Sequence, residues 1–300
     1  SLKEIPYEAF DGCTSLVSIG DLNNVESIAN EAFSNCSALE HVDKLDKITS
    51  IGQNAFKGCT ALKSIGSLHN LETIGQGAFS GCSALEHVDD LYSLTRLEYD
   101  VFSHCVSLIS VDCSDKLTAI GSSAFFGCKA LVSIGDLSNV TSIESSVFRG
   151  CIALKSIGNM PKLESIGMQC FMGCTALETV GDLSSLKEIP SETFDGCTSL
   201  VSIGDLSNVT IIGSYGFNQC KKLTSIPNLG SLERVDQFAF SGCESLALLG
   251  NLRKLTSFGN SPFVNSPFHN CPNLVLEVLP DSAAEQYAKN YSMRYTYITE

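Results

Sequence analysis

The chain has 300 residues, of which 44% are hydrophobic and 17% charged, with 24 glycines, so it can bury a continuous core and is not a disordered sequence. Its 19 basic and 33 acidic side chains give a formal charge of −14, which argues against nucleic acid and anionic lipid as partners because both attract a basic surface. Apolar stretches are short and interrupted by Ser, Gly or Asp, so direct membrane insertion is not expected.

The chain begins in the middle of a repeat at Ser1, and no signal peptide is visible. Residues 1–6 recur at 185–190, and residues 11–22 recur at 195–206, an offset of eight repeat units. We expect an array that grew by copying blocks and that continues on its N-terminal side in a longer protein. An N-terminal edge with unpaired backbone groups would also favour end-to-end self-association.

A Phe-x-x-Cys pair recurs along the chain with a step of 23 residues. Eleven copies, from Phe10 to Phe240, keep this step without slippage. The twelfth copy, at Phe268, arrives 28 residues after its predecessor, because residues 260–264 look like a local duplicate of 265–269. A constant period of this length predicts a repeat solenoid of about 12 turns.

Within one repeat, apolar residues recur at about every third position, separated by Gly, Ser or Asp. This spacing fits neither a sustained helix nor an alternating strand. We interpret residues 16–19 as a short strand, 25–28 as a second extended piece, and 30–36 as a helical or tight-turn connector. One turn cannot bury its own apolar side, so the turns must stack. At about 4.8 Å per turn, the stack would be a gently curved rod roughly 55–60 Å long.

The repeat pattern changes at the C-terminus. Residues 272–279 indicate a last strand, and the spacing of Ser282 and Glu285 is that of a capping box at the start of a helix. Tyr287 and Tyr291, one helical turn apart, would cover the end of the core. The predicted domains are a solenoid over residues 1–271 and a C-terminal cap over residues 272–300.

Twelve of the 14 cysteines occupy one column of the repeat. Stacked Cβ atoms would lie about 4.8 Å apart and parallel, whereas a disulfide needs roughly 3.8 Å and converging bond vectors. Cysteine packs readily as a small hydrophobe, so we predict buried thiols, with disulfides and metal binding as the alternatives. No second column of ligands accompanies the thiols, which argues against zinc. Cys113 and Cys170, outside the column, fit the same interpretation.

The histidines do not converge on a catalytic or metal site. His41 and His87 share a repeat position but lie two turns apart, about 10 Å, and the other three occupy different positions. No serine lies in a G-x-S-x-G elbow, and no glycine-rich phosphate loop follows a strand. The sequence therefore predicts no enzyme, no cofactor and no metal site.

Aspartates at two adjacent positions just after the first strand form a line of carboxylates, here named the acidic edge. They fit turn residues that bond their own backbone and keep the protein soluble, or, alternatively, a weak site for calcium or a basic partner. Calcium loops usually gather several oxygens within one turn, whereas most turns here offer a single Asp. The acidic edge comprises Asp21, Asp43, Asp89, Asp90, Asp112, Asp136, Asp182 and Asp205.

Variable side chains on the first strand form the candidate partner-binding surface, here named the strand face. Solenoids present broad surfaces on which exposed variation on a fixed frame carries the function. The rival interpretation, favoured by the uniformity of the repeats, is a structural spacer or stalk that presents another domain. The strand face comprises Val17, Glu40, His41, Lys63, Glu86, His87, Ile109, Val132, Lys155, Glu178 and Val201.

The segment at residues 55–66, Ala-Phe-Lys-Gly-Cys-Thr-Ala-Leu-Lys-Ser-Ile-Gly, shows the pattern L-x-x-I-G-x-x-A-F-x-G-C-x-x-L, which recurs over almost the whole chain. It resembles the leucine-rich repeat of the BspA-like family. The members of this family are mostly surface or secreted proteins of host-associated bacteria and some protozoa. The resemblance implies a right-handed leucine-rich-repeat superhelix and an adhesin-like role toward a protein partner, such as a host extracellular protein. The family often has Pro after the strand, whereas this chain usually has Gly-Asp-Leu, as at 20–22, so this corner is expected to differ.

Overall fold

The computed structural model describes residues 2–259 and 266–299. Within them the chain forms a β-solenoid of about 13 turns with a period near 23 residues and very little helix. It divides into two compact units, residues 1–154 and 155–300. The five-residue insertion predicted at 260–264 lies outside the described residues.

The first unit is built from pairs of very short strands, one pair in most turns. In chain order they are β1 (Glu4–Ile5), β2 (Ser27–Ile28), β3 (His41–Val42), β4 (Ser50–Ile51), β5 (Ser64–Ile65), β6 (Thr73–Ile74), β7 (His87–Leu91), β8 (Arg96–Leu97), β9 (Ser110–Cys113), β10 (Ala119–Ile120), β11 (Ser133–Ile134) and β12 (Ser142–Ile143). The odd strands from β3 onward form a first ladder, and β1 with the even strands forms a second. All pairs are parallel, within β3-β5, β7-β9-β11, β1-β2-β4-β6 and β8-β10-β12.

The second unit repeats this plan. Its strands are β13 (Ser156–Ile157), β14 (Ser165–Ile166), β15 (Thr179–Val180), β16 (Glu188–Ile189), β17 (Ser202–Ile203), β18 (Ile211–Ile212), β19 (Ser225–Ile226), β20 (Arg234–Val235), β21 (Leu248–Leu249), β22 (Ser257–Phe258), β23 (Val275–Val278) and β24 (Arg294–Tyr297). Parallel pairing gives β13-β15-β17 and β19-β21-β23-β24 in the first ladder and β16-β18-β20-β22 in the second. The two extended pieces predicted for each repeat are therefore confirmed, although most strands have two residues instead of four.

Sheet β7-β9-β11 departs from this regularity. Val88 pairs with Val111, but the next pair is Leu91 with Cys113, so two residues of β7 face one of β9. This is a β-bulge, and Asp90 within it adopts a left-handed conformation with φ of 66°. The two strands are also longer than the others of the first unit, with five and four residues.

A column of stacked phenylalanine rings forms the centre of each unit. In the first unit the centroids of neighbouring rings, from Phe10 to Phe148, lie 5.1 to 5.7 Å apart with nearly parallel planes. In the second, the rings from Phe171 to Phe240 repeat at 5.1 to 5.3 Å. Most of these rings are fully buried. The predicted inward column is therefore confirmed, and it sets the spacing of the turns.

The cysteine column runs beside the rings and supplies hydrogen bonds as well as volume. The Sγ of Cys59 donates to the carbonyl oxygen of Phe33 in the preceding turn at 3.1 Å, and the Sγ of Cys128 donates to that of Phe102 at 3.0 Å. Burial raises the pKa of both thiols to about 12. The thiols thus stay protonated donors, as the interpretation of buried thiols predicts.

Hydrogen bonds between turns run in both directions along the stack. On the first ladder, the N–H of Lys63 donates to the carbonyl of Glu40 in the preceding turn at 2.9 Å. On the connector, the N–H of Phe56 donates to the carbonyl of Ala78 in the following turn at 2.8 Å. Backbone groups that would otherwise be buried without partners are satisfied in this way, so stacking stabilises each turn through polar and apolar contacts alike.

The approach of neighbouring turns at the corner after the first strand differs from one glycine to another. A Cβ added to Gly204 would lie 2.0 Å from the carbonyl oxygen of Gly181, whereas one added to Gly158 would meet nothing within 4 Å. The connector itself is a tight turn and contains no helix in the described residues. It passes through the left-handed region, as at Asn54 and Gly58 with φ of 53° and 71°.

The C-terminal segment contains the predicted strand, β23, and the helix α1 (Ala283–Asn290). The hydroxyl of Ser282 accepts the N–H of Glu285 at 3.2 Å, so the capping interaction is present. The ring of Tyr287 stacks on Phe258 at 3.9 Å and so covers the apolar end. Strand β24, which the sequence analysis does not predict, adds one more strand beside β23.

Candidate binding face

The strand face forms one continuous row in the first unit. From Glu40 onward, each residue's N–H donates to the carbonyl of its counterpart one turn earlier, at 2.8 to 3.3 Å. The side chains therefore project from neighbouring backbones, and all are exposed except Glu40, which is half-buried. The row comprises Val17, Glu40, Lys63, Glu86, Ile109 and Val132.

A shorter row with the same geometry lies in the second unit. The N–H of Glu178 donates to the carbonyl of Lys155 at 2.8 Å, and that of Val201 donates to Glu178 at 2.9 Å. All three side chains are exposed. The residues predicted as variable and outward are thus outward, in register and adjacent within each unit; whether they bind a partner stays a prediction.

Two histidines of the strand face bridge to serines on the next turn. His41 Nδ1 lies 2.9 Å from Ser64 Oγ, and His87 Nδ1 lies 2.9 Å from Ser110 Oγ. These residues also pair as strand neighbours, so the contacts are cross-strand side-chain pairs. The two histidines lie on β3 and β7, with β5 in the turn between them, and do not converge.

A histidine beside a serine raises the question of nucleophilic catalysis, which the sequence analysis did not foresee at these positions. His41 Nε2 lies 3.9 Å from Glu40 Oε2, so a carboxylate, an imidazole and a hydroxyl are aligned. The Glu40 carboxylate is, however, bound at 2.8 Å by the Lys63 ammonium, whose hydrogen bond lowers the pKa of Glu40. All three groups lie on an open strand surface, where water screens them, so the arrangement suits surface hydrogen bonding better than activation of a nucleophile.

About half of the acidic edge is engaged in local turns. The carboxylates of four aspartates each accept the backbone N–H two residues later, at 2.8 to 2.9 Å, which is an Asx-turn. At Asp21 this hydrogen bond is the largest cause of a lowered pKa. The geometry fits the interpretation of turn residues at these positions. They are Asp21, Asp136, Asp182 and Asp205.

The other members of the acidic edge lie in different surroundings. Asp90 accepts the hydroxyl of Ser67 at 2.6 Å, and Asp112 accepts the hydroxyl of Tyr92 at 3.1 Å. Asp43 and Asp89 are exposed. Sequence reasoning missed Tyr92, although an aromatic residue at a position that the two neighbouring repeats fill with His69 and Asp115 was a usable signal.

In the part of the chain that the structure describes, no group of three or more His, Cys, Asp or Glu side chains is placed to hold a metal ion. Within the same residues, no helix reaches the length and hydrophobicity that crossing a bilayer requires.

The profile of the family described as "BspA type Leucine rich repeat region (6 copies)" matches residues 1–109, 67–178, 95–224 and 164–283. The chain belongs to this BspA-type leucine-rich-repeat family. The resemblance inferred from the motif is therefore confirmed, and the family's repeat fold is typically non-enzymatic.

Solved structures agree with this assignment. The chain is similar to a leucine-rich repeat protein from Bacteroides ovatus, with 26% identity, a TM-score of 0.67, and coverage of 99% of this chain and 88% of that one. A leucine rich cell surface protein from Faecalibacterium prausnitzii shares the fold at 24% identity and a TM-score of 0.52, covering 88% of this chain and 86% of that one. No curated relative matches the sequence.

Proposed function

We propose that this BspA-type chain is a non-catalytic, adhesin-like module that binds a protein partner through its strand face, at a cell surface or in secreted form. One observation carries the proposal: the exposed row changes from Val to Glu, Lys, Glu, Ile and Val along the first unit, whereas the buried Phe and Cys columns do not change. Variation along an outward row of a fixed frame is what selective recognition of a partner requires. Family membership supports the proposed location.

A structural spacer is the second candidate. The observation that favours it is the predominance of serine at the second exposed position of the strand, which is serine at Ser18, Ser64, Ser110 and Ser133 and histidine only at His41 and His87 within the first unit. A spacer needs only a regular stack, so its exposed side chains can be replaced without consequence, whereas those of a binder cannot.

The two candidates separate in a capture experiment with the full chain. The immobilised protein is cross-linked to a mixture of extracellular matrix and plasma proteins, and captured proteins are quantified by mass spectrometry. A strand-face variant combines Lys63→Ser, Glu86→Ser, Ile109→Ser and Val132→Ser. The matched control changes the exposed residues that immediately precede strands β4, β6, β8 and β10 of the second ladder, Thr49→Ser, Glu72→Ser, Thr95→Ser and Thr118→Ser.

We expect a captured protein that the strand-face variant loses and the control retains. Equal capture by the native chain and both variants would mean that the strand face does not contact the partner. Absence of any captured protein above a blank support would favour the spacer.

A further inference from the structure

We propose, building on the protein-binding function above, that the partner docks on sheet β7-β9-β11 through a basic segment that also carries an apolar side chain. Three features of this sheet point to that chemistry: an exposed apolar pair, two adjacent carboxylates that have no cationic partner in the described residues, and a spacing that suits a short extended peptide.

The apolar pair consists of Ile109 and Val132. Their side chains are 38% and 44% exposed, and the N–H of Val132 donates to the carbonyl of Ile109 at 2.9 Å, so the two lie side by side on neighbouring turns. The residues that precede them in the row, Lys63 and Glu86, are charged. The pair is therefore a local apolar patch at one end of the row, small enough to take a single apolar side chain of a partner.

The carboxylates that flank this patch determine the charge of the occupant. Val88 and Val111 are paired across the sheet, and at the bulge that follows, Asp89 and Asp90 of β7 face Asp112 of β9, so Asp89 and Asp112 lie on neighbouring strands. Both are exposed. Like charges on neighbouring strands repel each other, and a guanidinium or ammonium between them would relieve that repulsion.

These two carboxylates differ from those held in Asx-turns. Asp136 and Asp205 each accept an N–H of their own turn, whereas in the described residues Asp89 accepts no hydrogen bond and Asp112 accepts that of the Tyr92 hydroxyl. Neither Asp89 nor Asp112 has an ion-pair partner in that part of the chain. Their lone pairs are thus available to a cation from outside.

The spacing defines the segment that fits. Ile109 immediately precedes β9, and Asp112 lies within it, three residues further along the chain and at most about 10 Å away. An extended peptide with an apolar residue and an arginine about three positions apart matches both features at once. In the second unit, Gly158, Gly181 and Gly204 occupy the positions equivalent to Asp89 and Asp112, and the carboxylates that follow at Asp182 and Asp205 are held in Asx-turns.

The test measures binding of fluorescent twelve-residue peptides to the full chain by anisotropy. One set contains two arginines and a leucine at varied spacing, a second has glutamate for arginine, and a third has serine for leucine. The protein variants are Asp89→Asn with Asp112→Asn, and Ile109→Ser with Val132→Ser. The matched control is Asp182→Asn with Asp205→Asn, which removes the same charge elsewhere and keeps side chains able to form the Asx-turn.

We expect the arginine–leucine peptides to bind the native chain and the control alike. Binding should weaken at least tenfold in the Asp89/Asp112 variant, and it should fall with added salt because the charges are exposed. The Ile109/Val132 variant should no longer distinguish leucine-containing from serine-containing peptides. Unchanged circular dichroism and thermal midpoints would establish that all variants fold.

Two results would overturn the inference on charge. Equal weakening in the Asp182/Asp205 control would show attraction to net charge alone, and equal binding of the glutamate peptides would show that charge does not matter. Failure of every peptide, while the strand-face capture of intact proteins persists, would refute the basic-segment chemistry and leave the protein-binding function standing. If the capture of intact proteins fails as well, both the basic-segment chemistry and the protein-binding function are refuted.

Discussion

Two positions four residues apart in every repeat behave in opposite ways. One is the cysteine column, which keeps the same residue in all twelve Phe-Cys pairs; the other is the exposed row of the strand face, which changes in almost every turn of the first unit. Both follow the same 23-residue period and the same backbone. The residue at a repeat position is therefore constrained by its contacts with the neighbouring turns, and not by the period alone.

The inward position is constrained in volume and in hydrogen bonding together. Rings stacked at 5.1 to 5.7 Å in the first unit leave fixed room beside them, and the thiol both fills that room and donates to a carbonyl of the preceding turn. A larger side chain would overpack, and alanine would leave the carbonyl with one donor fewer. The outward row meets solvent and has neither constraint.

The largest effect that distinguishes the two positions is expected at alkaline pH. Burial raises the pKa of thiols such as Cys59 and Cys128 to about 12, so their contribution to stability is fully present below the unfolded pKa of about 8.5 and is lost as the pH rises toward 12. Each such thiol should lower the free energy of unfolding by about 1.4 kcal/mol per pH unit in that window. Urea unfolding at pH 8 and pH 10 under reducing conditions measures the loss. In Cys128→Ala, the decrease in the free energy of unfolding per pH unit should be smaller by the contribution of one thiol. Stability independent of pH up to 10 would mean that the column is hydrated.

Truncation of a column ring should be the most damaging single substitution. Phe125 is fully buried between Phe102 and Phe148, and core Phe→Ala changes typically cost about 3–5 kcal/mol. Because contacts in a solenoid are between nearest neighbours, hydrogen exchange should accelerate around residues 102–150 while α1 and the strands beside it stay protected. Uniform loss of protection along the chain would show a single cooperative unit instead, and no loss of stability would place the ring outside the core.

A smaller effect is expected at the corner glycines. Gly204→Ala brings a methyl group against the carbonyl of Gly181 and should cost about 1–3 kcal/mol, whereas Gly158→Ala meets open space. The Gly158 variant should be neutral or stabilising by about 0.4–1 kcal/mol, because alanine restricts the unfolded chain. Thermal unfolding of the two variants side by side measures the difference. Equal effects would contradict the close approach of turns at Gly204.

The smallest effect belongs to the exposed row. Lys155→Ala and Glu178→Ala remove side chains that extend into solvent, so stability should stay within about 0.5 kcal/mol of the native chain. Chemical denaturation is the check. Destabilisation by more than about 1 kcal/mol would show that the row contributes to the frame.

Sequence reasoning identified the solenoid, the inward columns and the outward row, because a fixed period makes each column visible without coordinates. It overestimated strand length: residues 16–19 give only a bridge at Ser18, and the equivalent segment at His41 pairs over two residues, since the backbone turns at the following corner. Strand β24 was missed because its residues lie beyond the repeat and follow a helix, where no period applies.

The binding surface was predictable as a row but not in its details. The bulge in β7 arises where Asp89-Asp90 replaces the usual Gly-Asp, a signal too small to interpret without the register of β9. The Asx-turns at Asp21 and Asp205 follow from local chemistry and agree with the expectation for turn residues. The division into residues 1–271 and 272–300, end-to-end association and the partner itself stay predictions.

The two-way hydrogen bonding between turns has a consequence for how such a chain changes length. The N–H of Lys63 points to the preceding turn, and the N–H of Phe56, on the connector, points to the following one. Each turn therefore offers the next turn the same arrangement of donors and acceptors that the preceding turn offered to it. Recombination that removes or adds 23 residues therefore joins two surfaces that already match, and the copy of residues 1–6 at 185–190 fits such events. A deletion one residue short of the period would instead put the Phe column on one side of the junction out of register with the column on the other side, and the two edges that meet there would no longer pair.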